Sequence, residues 1–171
     1  MDIRYCPVCA GELIEAADED GDQRLRRRCA EGHWTYWNNP LPVVAALVEW
    51  RGQILLARNA NWPEGTFALI TGFLEQGETP EQGVARELKE ETDLDASETT
   101  LIGVYEFIRK NEVLIVYHVR AEGEVCLSPE LLEYRLYDLT ELRPWRAGTG
   151  LAMADWMRRN GIEPEFKDWP A

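Results

Sequence analysis

The sequence has 171 residues, 45% of them hydrophobic, and a formal net charge of −13. This length corresponds to one domain with room for a small appendage, and the acidic balance disfavours binding to a nucleic-acid backbone. No run of about eighteen apolar residues occurs, which excludes a membrane-spanning helix.

The first residues contain neither a basic region nor a hydrophobic run, so we expect no signal peptide and a cytoplasmic protein. Residues 1–39 predict a small separate module, and residues 40–171 predict the main domain. Two hairpin strands are expected at 11–16 and 23–29, joined at an Asp20-Gly21 turn.

Two pairs of metal-ligating residues flank this hairpin. Cys6 and Cys9 are separated by two residues, and Cys29 and His33 by three. Thiolates and imidazole at this spacing suit tetrahedral Zn²⁺, which would supply the stability that so small a core lacks. His118 is a distant alternative as the fourth ligand. The other interpretation is that the three cysteines are small buried thiols.

Four arginines lie on the second hairpin strand, at positions 24, 26, 27 and 28. In a zinc ribbon such a strand can bind nucleic acid, but here it lies opposite the acidic residues 18–22. We favour pairing with these acids, and therefore do not expect nucleic acid as a partner.

The main domain alternates strand and helix patterns. The expected helices are 79–92, with Thr79 as N-cap and Gln82 completing a capping box, and 150–159. The expected strands are 43–50, 53–58, 67–70 (leading to Gly72), 99–109, 112–121 and 134–139. This order predicts an α/β fold in which a mixed sheet lies between helices.

The first helix carries an unusual group of acids. Glu87 and Glu91 share one flank of the helix, and Glu90 lies further round the same side. Like charges at this spacing destabilise a helix, whereas Mg²⁺ or Mn²⁺ bound between them removes the repulsion. Arg86 is expected to pair with Glu78 and to brace the preceding loop against the helix.

Residues 72–94 resemble the Nudix box, G-x5-E-x7-R-E-U-x-E-E-x-G-U, where U is apolar. The matching positions are Gly72, Glu78, Arg86, Glu87, Leu88, Glu90, Glu91 and Leu94. The resemblance implies a Nudix fold and metal-dependent hydrolysis of a nucleoside diphosphate linked to another group. It also implies that Glu87 and Glu91 are the chief metal ligands, that Glu90 is a shared ligand, and that the Gly72 carbonyl completes the site.

One position departs from the pattern, since Asp93 stands where the box has Gly. That residue ends the helix, and we expect it to adopt a left-handed conformation, which Asp tolerates better than most residues. The general base stays open among Glu90, Glu91 and two acids outside the box, Glu106 and Glu112.

The module order resembles that of NADH pyrophosphatases and of plant-type FAD and ADP-ribose pyrophosphatases. The resemblance implies ADP-ribose, FAD or NADH as the small-molecule substrate, and homodimerisation is common in the family. We expect Arg58 to contact a phosphate and Phe67 to stack on the substrate. The alternatives are a non-catalytic module that senses nucleotides or docks protein or RNA, and a nucleoside triphosphate pyrophosphohydrolase.

Overall fold

A computed structural model describes residues 3–17 and 24–168, and the chain divides into two compact units, Met1–Asn39 and Pro40–Ala171. In the described part of the first unit, β1 (Leu13–Ala17) and β2 (Leu25–Cys29) pair as antiparallel strands. The predicted Asp20-Gly21 turn and the acidic residues 18–22 lie outside the described residues.

Over its described residues, 40–168, the second unit contains six strands and two α-helices. They are β3 (Leu41–Trp50), β4 (Gln53–Asn59), β5 (Ile70–Phe73), α1 (Pro80–Thr92), β6 (Asp95–Phe107), β7 (Glu112–Glu122), β8 (Leu131–Tyr137) and α2 (Thr149–Arg159). The strands form one sheet in the order β6-β7-β3-β4-β8. The β3–β7 pair is parallel and the other pairs are antiparallel, so the sheet is mixed.

Strand β3 is central, and its side chains alternate between two hydrophobic cores. Val43, Ala45 and Leu47 pack with residues of α2, and Val44, Ala46 and Val48 pack with residues of α1. A strand buried on both faces explains the nearly continuous apolar sequence of this segment. The helices therefore cover opposite faces of the sheet, and the predicted α/β sandwich is confirmed.

Strand β5 begins three residues later than the sequence predicts. Phe67 and Leu69 are buried in the core on the α2 side, and Ala68 makes only an isolated bridge to Ala57. β5 then pairs with the beginning of β3, with Gly72 opposite Val44. Gly72 accordingly lies within β5, whereas the sequence predicts it after a strand that ends at residue 70.

Over residues 3–17 and 24–168, no helix is both long and apolar enough to cross a membrane.

Candidate active site

Helix α1 begins at a fully formed cap. The Thr79 hydroxyl accepts a hydrogen bond from the Gln82 backbone N–H, and the Gln82 side chain accepts one from the Thr79 N–H. The helix ends at Asp93, whose φ of 59° is left-handed as expected. Val84 and Leu88 are buried against the sheet. This packing fixes the rotation of the helix and keeps its acidic flank out of the hydrophobic core, with Glu87 and Glu91 partly exposed.

Arg86 is the hub of the site. Its Nε and Nη2 donate to the two carboxylate oxygens of Glu78 at 3.0 and 2.8 Å. Nη2 also donates to the Phe73 carbonyl, and Nη1 donates to Glu87 at 2.8 Å and to Glu90 at 3.1 Å. The predicted pair with Glu78 is therefore present. A planar guanidinium with five donors can hold loop, strand and helix together in this way.

The loop carboxylate of Glu78 is held in its ionised form. The Arg86 guanidinium and the Glu75 backbone N–H lower the pKa of Glu78 to about 2. The loop between β5 and α1 therefore stays tied to the helix at any physiological pH.

Gly72 allows α1 to approach β5 closely. A Cβ atom added at Gly72 would overlap the carboxylate of Glu87. The absence of a side chain, rather than a special backbone conformation, is what this position requires. The Glu87 carboxylate consequently lies against the β5 backbone, in the region where the sequence predicts a role for the Gly72 carbonyl.

The carboxylates of α1 repel one another. Burial raises the pKa of Glu87 in spite of its hydrogen bond from Arg86. Burial, followed by the charges of Glu87, Glu130 and Glu90, raises the pKa of Glu91 to about 8. A partly buried group of carboxylates with raised pKa values is stabilised by a bound cation, and hard divalent ions prefer oxygen ligands.

Glu130 belongs to this group of acids, and sequence reasoning missed it. It precedes β8 in a loop that is tied to the end of α1, where the N–H of Cys126 donates to Thr92 and that of Ser128 donates to Glu91. No local pattern marks Glu130, because only the folded loop brings it near the helix. The two outside acids named from sequence, Glu106 and Glu112, instead line a cavity.

That cavity has a volume of about 590 Å³ and lies on the α2 side of the sheet. Thr71 lines it, while the next residue of β5, Gly72, faces Glu87. Since consecutive strand residues point to opposite faces, the cavity and the acidic group lie on the two sides of β5. A volume of this size accommodates a small organic ligand.

The two residues predicted to contact substrate, Arg58 and Phe67, are not among the residues that line this cavity. Arg58 donates to Glu133 at 2.7 Å and to the Trp62 carbonyl at 3.4 Å, and its side chain is 16% exposed. Phe67 is 2% exposed, with the Arg135 guanidinium 4.3 Å from its ring centre. A stacking role does not fit Phe67, because its ring has no face free for a substrate.

In the first unit, the predicted ligand atoms of Cys6, Cys9, Cys29 and His33 all lie within 4.8 Å of one another. The Cys29 sulfur lies 3.6 Å from that of Cys9 and 3.7 Å from Nδ1 of His33. A tetrahedral ion with bonds of about 2.3 Å separates its ligands by about 3.8 Å, so this set fits Zn²⁺. His118 is not among these residues, because it lies in β7 and bonds Glu49 at 2.8 Å.

The family model for the NUDIX domain matches residues 39–159. An ADP-ribose pyrophosphatase from Methanocaldococcus jannaschii is 35% identical over 130 residues, which cover 72% of this chain and 77% of that protein. An NAD-capped RNA hydrolase NudC from Vibrio atlanticus is 29% identical over 143 residues. These cover 82% of this chain but 51% of the relative, so the chain spans about half the length of that protein.

Among solved structures, a NUDIX hydrolase from Nitrosomonas europaea has a TM-score of 0.76 and 29% sequence identity. The match covers 96% of this chain and 97% of that one. The similarity therefore extends over both units of the present chain.

Proposed function

The chain belongs to the Nudix family of pyrophosphatases, and we propose that it hydrolyses the diphosphate of a nucleoside diphosphate linked to another group. The reaction would require Mg²⁺ or Mn²⁺ bound by Glu87, Glu90 and Glu91, with the Gly72 carbonyl as a further ligand. The observation that carries this proposal is the group of mutually repelling carboxylates on α1, which Arg86 and Gly72 hold against β5.

The divalent ion would neutralise the diphosphate and activate a water molecule. The protein would position the carboxylate ligands and supply their negative charge. Arg86 orients Glu87 and Glu90 while it fixes Glu78, so that the ligands keep their arrangement as substrate arrives. Among the acids outside α1, we favour Glu130 over Glu106 and Glu112 as proton acceptor, because its charge acts directly on Glu87 and Glu91.

ADP-ribose is the substrate we propose to test first. The relative that carries ADP-ribose in its name matches over most of its length, whereas the NudC relative extends well beyond the match. NADH and FAD follow as candidates of the same chemical class. An NAD-capped RNA end is a second candidate, which the similarity to NudC supports.

We further propose that residues 1–39 form a zinc module and that residues 40–171 form the hydrolase domain. Cys6, Cys9, Cys29 and His33 would hold one Zn²⁺. The backbone N–H of Val8 points to the Cys6 sulfur at 3.4 Å, a contact that favours a thiolate. Zinc in this place would be structural, since all four ligands come from the protein.

The test is hydrolysis of ADP-ribose, FAD, NADH and the common nucleoside triphosphates with Mg²⁺ and then Mn²⁺, with products separated by chromatography. We expect two monophosphate products from at least one of the first three compounds. Release of pyrophosphate from a triphosphate alone would replace this function by triphosphate hydrolysis. Nucleotide binding without turnover under either metal would instead indicate a sensing module.

A further inference from the structure

We propose that the cavity on the α2 side of the sheet binds the nucleoside part of the substrate together with a phosphate other than the scissile diphosphate. This inference rests on the proposed function, because it assigns the diphosphate itself to the acidic group on α1. It adds to that function a preference among substrates, because nucleotides that carry an additional phosphate close to the nucleoside should bind more tightly than those that do not.

The walls of the cavity suit a flat, partly apolar group. Trp62, Phe107 and Trp145 line it, together with the apolar side chains of Val43 and Leu114. Aromatic side chains offer stacking faces to a base, and ligand cavities of this type are mainly apolar with a few polar groups.

Three cations line the same cavity, namely Arg109, Lys110 and Arg146. Most basic residues of this unit pair with carboxylates, as Arg58 does with Glu133 and Arg86 with Glu78. Over the described residues, by contrast, no carboxylate lies within ion-pair distance of any of these three cations. In a chain with a net charge of −13, unpaired cations gathered at one cavity indicate an anionic ligand.

Aromatic contacts hold two of these cations without cancelling their charge. The Arg146 guanidinium lies 4.5 Å from the ring centre of Phe166, and the Lys110 ammonium lies 5.6 Å from that of Phe107. A stacked guanidinium keeps its N–H groups available for phosphate oxygens. Two acids, Glu106 and Glu112, also line the cavity. The formal charge of the lining residues is therefore +1, from three cations and two carboxylates.

The cavity lies close enough to the acidic group to share one substrate with it. Thr71 lines the cavity, and its neighbour Gly72 faces Glu87 across the same strand. Among the strands within residues 3–17 and 24–168, β5 pairs with β3 alone. A nucleotide that reaches around the edge of this short strand can therefore place its diphosphate at α1 and its nucleoside in the cavity.

The additional phosphate can belong to a dinucleotide that bears a ribose phosphate, or to an RNA chain attached to the nucleoside. The two sources share one chemistry, a phosphate next to a stacked base. Charge-assisted hydrogen bonds from Arg or Lys to a phosphate strengthen binding about tenfold or more.

The test uses calorimetry on the full chain without added divalent ions. The ligands are the four nucleoside 5′-monophosphates and the corresponding 3′,5′-bisphosphates. We expect at least one bisphosphate to bind about tenfold more tightly than its monophosphate. The ratio of the monophosphate dissociation constant to the bisphosphate dissociation constant should fall to about one in the double variant Arg109→Ala/Arg146→Ala. The preference for the bisphosphate should persist in Lys167→Ala, which removes a cation that does not line the cavity.

The proposal would be overturned if every monophosphate bound as tightly as its bisphosphate, or if no nucleotide bound at all. It would also be overturned if the preference for the bisphosphate survived in the double variant. Hydrolysis of a ribose-phosphorylated dinucleotide and of a dinucleotide-capped trinucleotide then separates the two sources. Calorimetry measures binding and needs no turnover. If the unmodified chain prefers the bisphosphate but hydrolyses no substrate, the result contradicts the proposed function and leaves this inference standing.

Discussion

Replacing Glu91 by Gln should stabilise the metal-free protein at alkaline pH while it removes hydrolysis. Burial and the neighbouring carboxylates raise the pKa of Glu91 from 4.5 to about 8 in the folded chain. Between these values the folded state binds more protons than the unfolded state. The free energy of unfolding therefore falls as the pH rises through this window, and the loss is complete above about pH 8.

The pKa difference sets the size of the effect. At about 1.4 kcal/mol per unit of pKa difference, the destabilisation by ionised Glu91 has an upper limit of about 5 kcal/mol. Glu91 is only half-buried, and solvent screens part of its repulsion with the neighbouring acids. We therefore expect Glu91→Gln to raise the free energy of unfolding by about 2 kcal/mol at pH 8.5 and to change it little near pH 4.5.

The assay is urea unfolding followed by tryptophan fluorescence, without added Mg²⁺ or Mn²⁺, at both pH values. Glu122→Gln is the matched control, because it removes one exposed carboxylate at the end of β7. Addition of Mg²⁺ should stabilise the native sequence more than the Glu91→Gln variant. A variant that is no more stable than the native sequence at pH 8.5 would refute the electrostatic argument.

Gly72→Ala should lower the hydrolysis rate about 100-fold, because the new Cβ displaces the Glu87 carboxylate; a rate within threefold of the native one would contradict the close approach. Arg86→Lys keeps the charge but loses the two-bond contact with Glu78, so limited proteolysis should cut the loop between β5 and α1 faster; unchanged cleavage would argue against bracing. Cys29→Ser should reduce bound zinc, measured by atomic absorption, from about one ion per chain to nearly none. Unchanged zinc content would rule out Cys29 as a ligand.

The sequence predicts α1 well because its signals are local. Thr79 and Gln82 cap the beginning, apolar residues recur at helical spacing, and Asp93 ends the helix in the left-handed conformation. The pairing of Arg86 with Glu78 is also predictable, since both residues belong to one short motif. In each case, few residues separate the partners along the chain.

The rest of the site depends on contacts between distant segments. Glu130 reaches α1 through a folded loop, and nothing in its neighbours distinguishes it from other surface acids. Phe67 precedes a strand, a position from which an aromatic side chain can face a ligand or the core. In the folded chain it belongs to the core on the α2 side of the sheet. The need for glycine at position 72 also depends on a distant segment, because the side chain that a Cβ atom would overlap belongs to Glu87 on α1.

The most direct test of the proposed active site is steady-state hydrolysis of ADP-ribose with Mg²⁺ by the native sequence and by Glu87→Gln, with AMP measured by chromatography. We predict AMP release by the native sequence, and a rate at least 100-fold lower in Glu87→Gln. The control Glu122→Gln should retain the native rate. AMP release by Glu87→Gln within a fewfold of the native rate would contradict the assignment of catalysis to the acids of α1.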